Sequence, residues 1–216
     1  MSVALDHLIV AAPSLEAGAA WCEDTLGVTP LPGGKHPLMG THNRVLKISS
    51  EPFPNAYLEI IAIDRDAPPP GRPRWFGLDS IDLTPGPRLI HVVARSTMLD
   101  MHRWGLITVG YKPGDPVNAS RDTPHGLLTW QMLVRDDGGL GAGGALPTLI
   151  QWHGRHPTET LPDSGVVLQS LALNGINDRA RDVLRLRGVK VSAAETSPAL
   201  RAVLRTPQGD VMLESR

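Results

Sequence analysis

The 216-residue chain is short of cysteine, of aromatic residues and of net charge. Its one cysteine, Cys22, rules out an intramolecular disulfide and a cysteine-rich zinc ribbon, and fits a reducing compartment. With 21 Lys and Arg against 22 Asp and Glu, no basic field favours nucleic acid or an anionic membrane surface. No apolar run approaches the roughly 20 residues of a membrane-spanning helix, and no basic segment leads into a long apolar stretch at the start. A cytoplasmic protein without nucleic-acid or membrane partners is the expectation. No Gly-x-Ser-x-Gly elbow occurs, and Gly138-Gly139-Leu140-Gly141 lacks the Gly-Lys-Ser/Thr ending of a phosphate loop. These absences turn attention from serine hydrolases and nucleotide enzymes.

What is present is a repeat. Asp6-His7-Leu8-Ile9-Val10 is answered by Tyr57-Leu58-Glu59-Ile60-Ile61, and Leu89-Ile90-His91-Val92-Val93 by Leu149-Ile150-Gln151-Trp152-His153. Strand side chains alternate faces, so His7 is expected to share a face with Leu5 and Ile9, and Glu59 with Tyr57 and Ile61. If two such modules pack as a pseudo-symmetric pair, His7, Glu59, His91 and Gln151 converge. Imidazole plus oxygen donors suits a divalent ion such as Zn, Ni, Mn or Fe(II). The same residues also suit core histidines held by backbone carbonyls, a rim carboxylate and a strand brace.

The punctuation divides the chain into module one (1–63), a proline-rich crossover (64–87), module two (88–160) and a shorter module three (161–216). Module one reads β-α-β-β-β, with Ser14 as helix N-cap, Leu15, Ala19, Cys22 and Leu26 at helical spacing, and Gly27 as the stop. Strands are predicted at 28–31, 43–48 and 56–63, with Gly33-Gly34-Lys35-His36-Pro37 as a mobile turn. Module two is predicted as a strand from Leu89, a helix through Met98, Met101 and Trp104, and strands at 106–109, 127–134 and 147–153. Module three repeats the order, its helix capped at Asn177. The fold class is α+β: βαβββ modules forming a cupped mixed sheet with helices on its outer face.

His36 on the glycine turn is a candidate substrate contact and proton carrier. Asn43 is a candidate substrate ligand or turn brace, and Trp130 and Trp152 are candidate pocket walls. His102, His125, His153 and His156 have no recognisable ligand spacing.

These modules, with histidine on the first strand and an acid or amide on the last, resemble the vicinal oxygen chelate superfamily of glyoxalase I, extradiol dioxygenases and bleomycin-resistance proteins. Gly33–Pro37, Gly40-Thr41-His42-Asn43, Tyr57-Leu58-Glu59, Arg121–Gly126 and Leu146–Trp152 resemble the glyoxalase-like domain family. The resemblance implies a metal-dependent isomerase, lyase or dioxygenase-like enzyme acting on a small substrate with vicinal oxygens, with Glu59 or His36 moving the proton. The alternative is a metal-free sequestering protein of the bleomycin-resistance type. Modules one and two are expected to build the site and module three to extend the sheet or form a homodimer contact. In a second arrangement modules two and three pair and Glu214 contributes.

Overall fold

The structure is a computed structural model that describes residues 3–123 and 126–215. Pro124 and His125 of the Arg121–Gly126 motif lie outside the described residues. In module one, β1 (Ala4–Ala11) leads through α1 (Leu15–Leu26) to β2 (Leu31–His36), β3 (Thr41–Lys47) and β4 (Tyr57–Ile63). Ser14 Oγ accepts from Ala17 N, and Gly27 closes α1 in the left-handed region at φ 72°. Module two comprises β5 (Arg88–Arg95), α2 (Leu99–Thr108), β6 (Asp115–Arg121), β7 (Leu128–Val134) and β8 (Thr148–His153).

These strands make one eight-stranded mixed sheet in the order β2-β3-β4-β1-β5-β8-β7-β6. β1 runs parallel to β4 and antiparallel to β5, so the two modules join along the first strand of each. The sheet curls until its ends approach: a Cβ added to Gly34 on β2 would stand 3.0 Å from Arg121 Nη1 at the end of β6. The concave face carries Ile9, Ile61, Val93, Trp130, Met132 and Ile150. The crossover folds over it, with Trp75 and Phe76 buried on a 3-10 turn.

Module three has β9 (Val167–Asn174), α3 (Asp178–Leu184), β10 (Val189–Ser192), β11 (Leu200–Thr206) and β12 (Gly209–Glu214). It neither extends the large sheet nor repeats the modules' topology. Its first strand sits inside a separate four-stranded sheet ordered β10-β9-β11-β12. Leu168, Leu171 and Leu204 of this sheet join Leu8, Leu58 and Val92 from the convex face of the large sheet in one buried core. Burial of leucine side chains at about 1.5–3 kcal/mol each attaches the unit to its own chain. Glu214 is solvent-facing, paired with Arg201 at 2.6 Å, and takes no part in the concave face.

Three element expectations are corrected. Residues 106–109, expected as a strand, fall mostly within α2, where Leu99, His102 and Leu106 form one buried helical face; the strand is β6 instead. The turn expected at 33–37 is displaced to residues 37–40, and Gly33 and Gly34 lie within β2. They are tolerated there because neighbouring side chains occupy the space a Cβ would need: on Gly33 it would come within 2.0 Å of Asn43 Oδ1, and on Gly34 within 3.0 Å of Arg121 Nη1. Finally, Leu5 does not share the face of His7. A bulge at Asp6 sends Leu5 to the convex core with Leu8 and Val10.

Candidate active site

The concave sheet and the crossover enclose a cleft lined by His7, His36, Asn43, Tyr57, Glu59 and Arg121, with walls of Trp75, Phe76, Trp130 and Trp152. Mouth included, it measures about 340 Å³, of which water-sized solvent can occupy about 20 Å³. The enclosed floor holds about one water, so a larger molecule would have to occupy the open mouth or part the aromatic walls.

Alternation along β4 places Tyr57, Glu59 and Ile61 on the concave face, while Leu58 and Ile60 join the convex core. On β1 the bulge interrupts alternation, and Asp6 and His7 bond to each other. His7 Nδ1–H donates to Asp6 Oδ1 at 2.7 Å, since a carboxylate can only accept. Its Nε2 lies 3.2 Å from Glu59 Oε2 but out of hydrogen-bonding alignment, so this buried nitrogen has no partner. The ring stacks on Tyr57 at a centroid distance of 4.5 Å.

Asp6 is fully buried and gathers donors from both modules. Its Oδ2 accepts from Trp152 Nε1–H at 3.0 Å and His156 Nε2–H at 3.1 Å, with Arg95 Nη1 at 3.6 Å. Backbone Thr158 N donates to His156 Nδ1 at 3.3 Å, which leaves the His156 proton on Nε2 for Asp6. On the far side of His7, Asn43 Nδ2 donates to Glu59 Oε1 at 2.5 Å and approaches His36 Nε2 at 3.4 Å, while Asn43 Oδ1 accepts from Gly34 N at 2.8 Å. His36 Nδ1 bonds Thr41 Oγ1 at 3.0 Å, and its Nε2 stands 4.0 Å from Glu59 Oε1.

Charge follows from these contacts. Burial alone would depress His7, but the bond to Asp6 and the contact with Glu59 outweigh it and raise its pKa to about 9. Burial would raise Glu59, yet His7, His36 and Asn43 bring it down to about 2. Asp6 is likewise held well below the usual carboxylate range against its own burial, chiefly by His156 and His7. His36 goes the other way: burial, opposed by Glu59 and assisted by Arg121, lowers it to about 4 and leaves a neutral ring beside an ionised carboxylate. The cleft floor thus holds a carboxylate–imidazolium–carboxylate line with a neutral imidazole at its end.

Of the expected metal ligands, His7 and Glu59 meet and the other two do not join them. His91 is occupied at both nitrogens, with Nδ1 on Gly144 O at 2.7 Å and Nε2 within 2.9 Å of Thr148 Oγ1. Burial lowers it to about 4, and a bulge at Ile90 alters its register on β1. Gln151 is one position out of phase: Ile150 and Trp152 face the cleft, and Gln151 Oε1 accepts from Leu99 N at the start of α2, which no N-cap side chain serves. Among the described residues no three His, Cys, Asp or Glu side chains are arranged to hold an ion. The candidate substrate residues His36, Asn43, Trp130 and Trp152 all line the cleft.

Asp6, Tyr57, Trp75, Arg121 and His156 were not singled out as site residues from sequence. Asp6 carried a signal, a carboxylate inside an apolar strand next to a histidine. His156 and Arg121 stood in or beside motifs that resemble the family, but nothing in the sequence showed these roles, which depend on contacts 150 and 78 residues away.

The family model described as "Glyoxalase-like domain" matches residues 5–203. The chain belongs to the glyoxalase-like domain family. Among solved structures, a hypothetical protein from Staphylococcus aureus aligns over 99% of this glyoxalase-like chain and 85% of its own, with 14% identity and a TM-score of 0.59. At that identity the likeness concerns the fold alone. A methylmalonyl-CoA epimerase from Mycobacterium tuberculosis aligns over 68% of this chain and 85% of its own, with 18% identity and a TM-score of 0.39. No curated protein matches the chain at a significant level.

Proposed function

We propose that this glyoxalase-like protein is an enzyme of isomerase or lyase type that moves a proton on a small substrate bearing neighbouring oxygens, in the cleft between modules one and two. The observation that carries this reading is the Asp6–His7–Glu59 line at the cleft floor, with neutral His36 at its end. Ionisable groups whose pKa values are pushed apart within one cleft are the usual signature of acid–base work. Glu59 is positioned by Asn43 and His7, and its ionised oxygens are the base. His36 Nε2, 3.4 Å from Asn43 Nδ2 and 4.0 Å from Glu59, relays the proton. Asp6, bonded to Nδ1, fixes the orientation of the His7 ring that directs Nε2 at Glu59.

A divalent ion fits this floor through two protein ligands. His7 Nε2 is buried without a partner, its other nitrogen is fixed by a carboxylate as in many metal-binding histidines, and Glu59 supplies the oxygen. Water and substrate oxygens would complete the shell. Such an ion would polarise a carbonyl as a Lewis acid.

The test combines a panel of 1,2-dicarbonyl, 2-oxo and 2-hydroxy compounds with the protein as purified without chelator and after divalent-ion supplementation. Product formation that falls on Glu59→Gln supports the enzyme. Binding without turnover under both conditions supports the second reading, a sequestering protein, which the aromatic walls favour. A homodimer is proposed through the uncovered edges β10 and β12. Light scattering that gives a monomer at micromolar concentration would remove it.

A further inference from the structure

The cleft lining contains buried hydrogen-bond donors that have no acceptor. Seven buried side-chain N or O atoms have no partner among the described residues, and three of them belong to residues lining this one cleft: His7 Nε2, Trp75 Nε1 and Trp130 Nε1. Trp75 and Trp130 are each only 4% exposed. An indole N–H can only donate, so leaving it buried and unpaired costs roughly 1–3 kcal/mol unless a ligand accepts from it.

Arg121 adds a further donor group to the same lining. Its guanidinium is half-buried at the seam where β6 meets β2 and makes one long contact, Nη1 to Asn43 Oδ1 at 3.4 Å. No carboxylate lies within 4.0 Å of it among the described residues, whereas Asp6 accepts from His7, Trp152 and His156, and Glu59 Oε1 accepts from Asn43. Gly34 leaves the space it occupies, since a Cβ there would stand 3.0 Å from Nη1. Guanidinium groups bind carboxylates with two parallel hydrogen bonds, the arrangement a small planar anion needs.

We propose that the cleft takes a small carboxylate, of the 2-oxo or 2-hydroxy acid class, whose carboxyl group is held by Arg121 and accepts from the unpartnered indole N–H groups of Trp75 and Trp130. This rests on the reading of the cleft as the active site and adds the substrate's charge. Asn43 joins the two ends, since its Oδ1 touches Arg121 and its Nδ2 holds Glu59. The anchored acid therefore presents its 2-position towards the base.

The experiment is titration of the full-length protein with pyruvate, lactate and mandelate, and with their neutral amides, followed by tryptophan fluorescence and calorimetry. At least one acid is expected to bind about tenfold more tightly than its amide, and Arg121→Gln to bring the acid down to the amide's level. Arg121→Lys should recover part of the loss, and Trp130→Phe should weaken the acid but not the amide. Thermal melts of the variants check folding. Equal binding of acid and amide, undiminished acid binding in Arg121→Gln, or no acid binding up to about 10 mM would overturn the proposal. Turnover of a neutral dicarbonyl with no preference for acids would sink this proposal and keep the enzyme. Arg121-dependent acid binding without turnover of any compound would do the reverse.

Discussion

Replacing Asp6 with asparagine should be among the most costly conservative substitutions in the chain. The wild-type carboxylate is fully buried and accepts from His7, Trp152 and His156, with Arg95 beside it. Asparagine keeps one acceptor oxygen and turns the other into an amine that faces donors. Either His7 or the Trp152–His156 pair then loses its acceptor, and the protonated His7 loses its main counter-charge. Breaking a buried charge pair from one side costs roughly 3–5 kcal/mol. For a chain of this length that corresponds to a fall of about 6–20 °C in Tm. Urea denaturation monitored by tryptophan fluorescence reads the cost directly, and NMR titration of the His7 ring reads its cause. The His7 pKa, held up at about 9 chiefly by Asp6 against burial, should drop in Asp6→Asn. A loss below about 1 kcal/mol with an unmoved His7 titration would refute the reasoning, because it would mean that the buried hub carries no charge dependence.

Other outcomes follow from the same contacts. The His7 contribution to stability is complete below its unfolded pKa of 6.5 and lost as pH rises through about 9, while that of Glu59 is complete above 4.5 and lost as pH falls towards about 2. The buried neutral rings of His36 and His91, their pKa values lowered to about 4, contribute fully only above 6.5 and lose that contribution as pH falls. Denaturation midpoints of the metal-free protein should therefore peak near pH 6.5 and decline both by about pH 5 and by pH 9, and a profile still rising from pH 6.5 to 9 would contradict the assignment. Gly33→Ala should displace Asn43, whose Oδ1 would lie 2.0 Å from the new Cβ, and lower turnover about tenfold or more in a folded protein. Unchanged activity would show that Asn43 does not position Glu59. Metal content should fall about tenfold or more in His7→Ala and in Glu59→Ala. In Gln151→Glu it should be unchanged, because that side chain serves α2 and not the cleft; calorimetry showing tighter metal binding would return Gln151 to the shell.

What was legible in the sequence was local in origin. Ser14, Gly27 and Asn177 announced helix ends because capping is a short-range bond, and Glu59 was placed correctly because β4 alternates without interruption. The misplacements share one cause, which is that register depends on the partner strand. Leu5 changed faces at a bulge created by β1 pairing with β5, His91 sits beside another bulge in the same pair, and Gln151 was matched to Glu59 one residue out of phase. Gly33-Gly34 read as a turn because nothing nearby in sequence reveals that Asn43 and Arg121 need their side-chain space. The Asp6 hub and the Arg121 seam exist only once the modules meet, so no spacing within either module encodes them.

The measurement closest to the central claim is exchange of a carbon-bound proton with solvent. The full-length protein is incubated in D2O with the panel of vicinal-oxygen compounds, with and without added divalent ion, and deuterium incorporation next to the carbonyl or hydroxyl carbon is followed by NMR. The account predicts incorporation into at least one compound by the wild type, reduced at least 100-fold in Glu59→Gln, in line with the usual contribution of a positioned general base. Incorporation that persists in Glu59→Gln, or none in any compound under either condition, would contradict it.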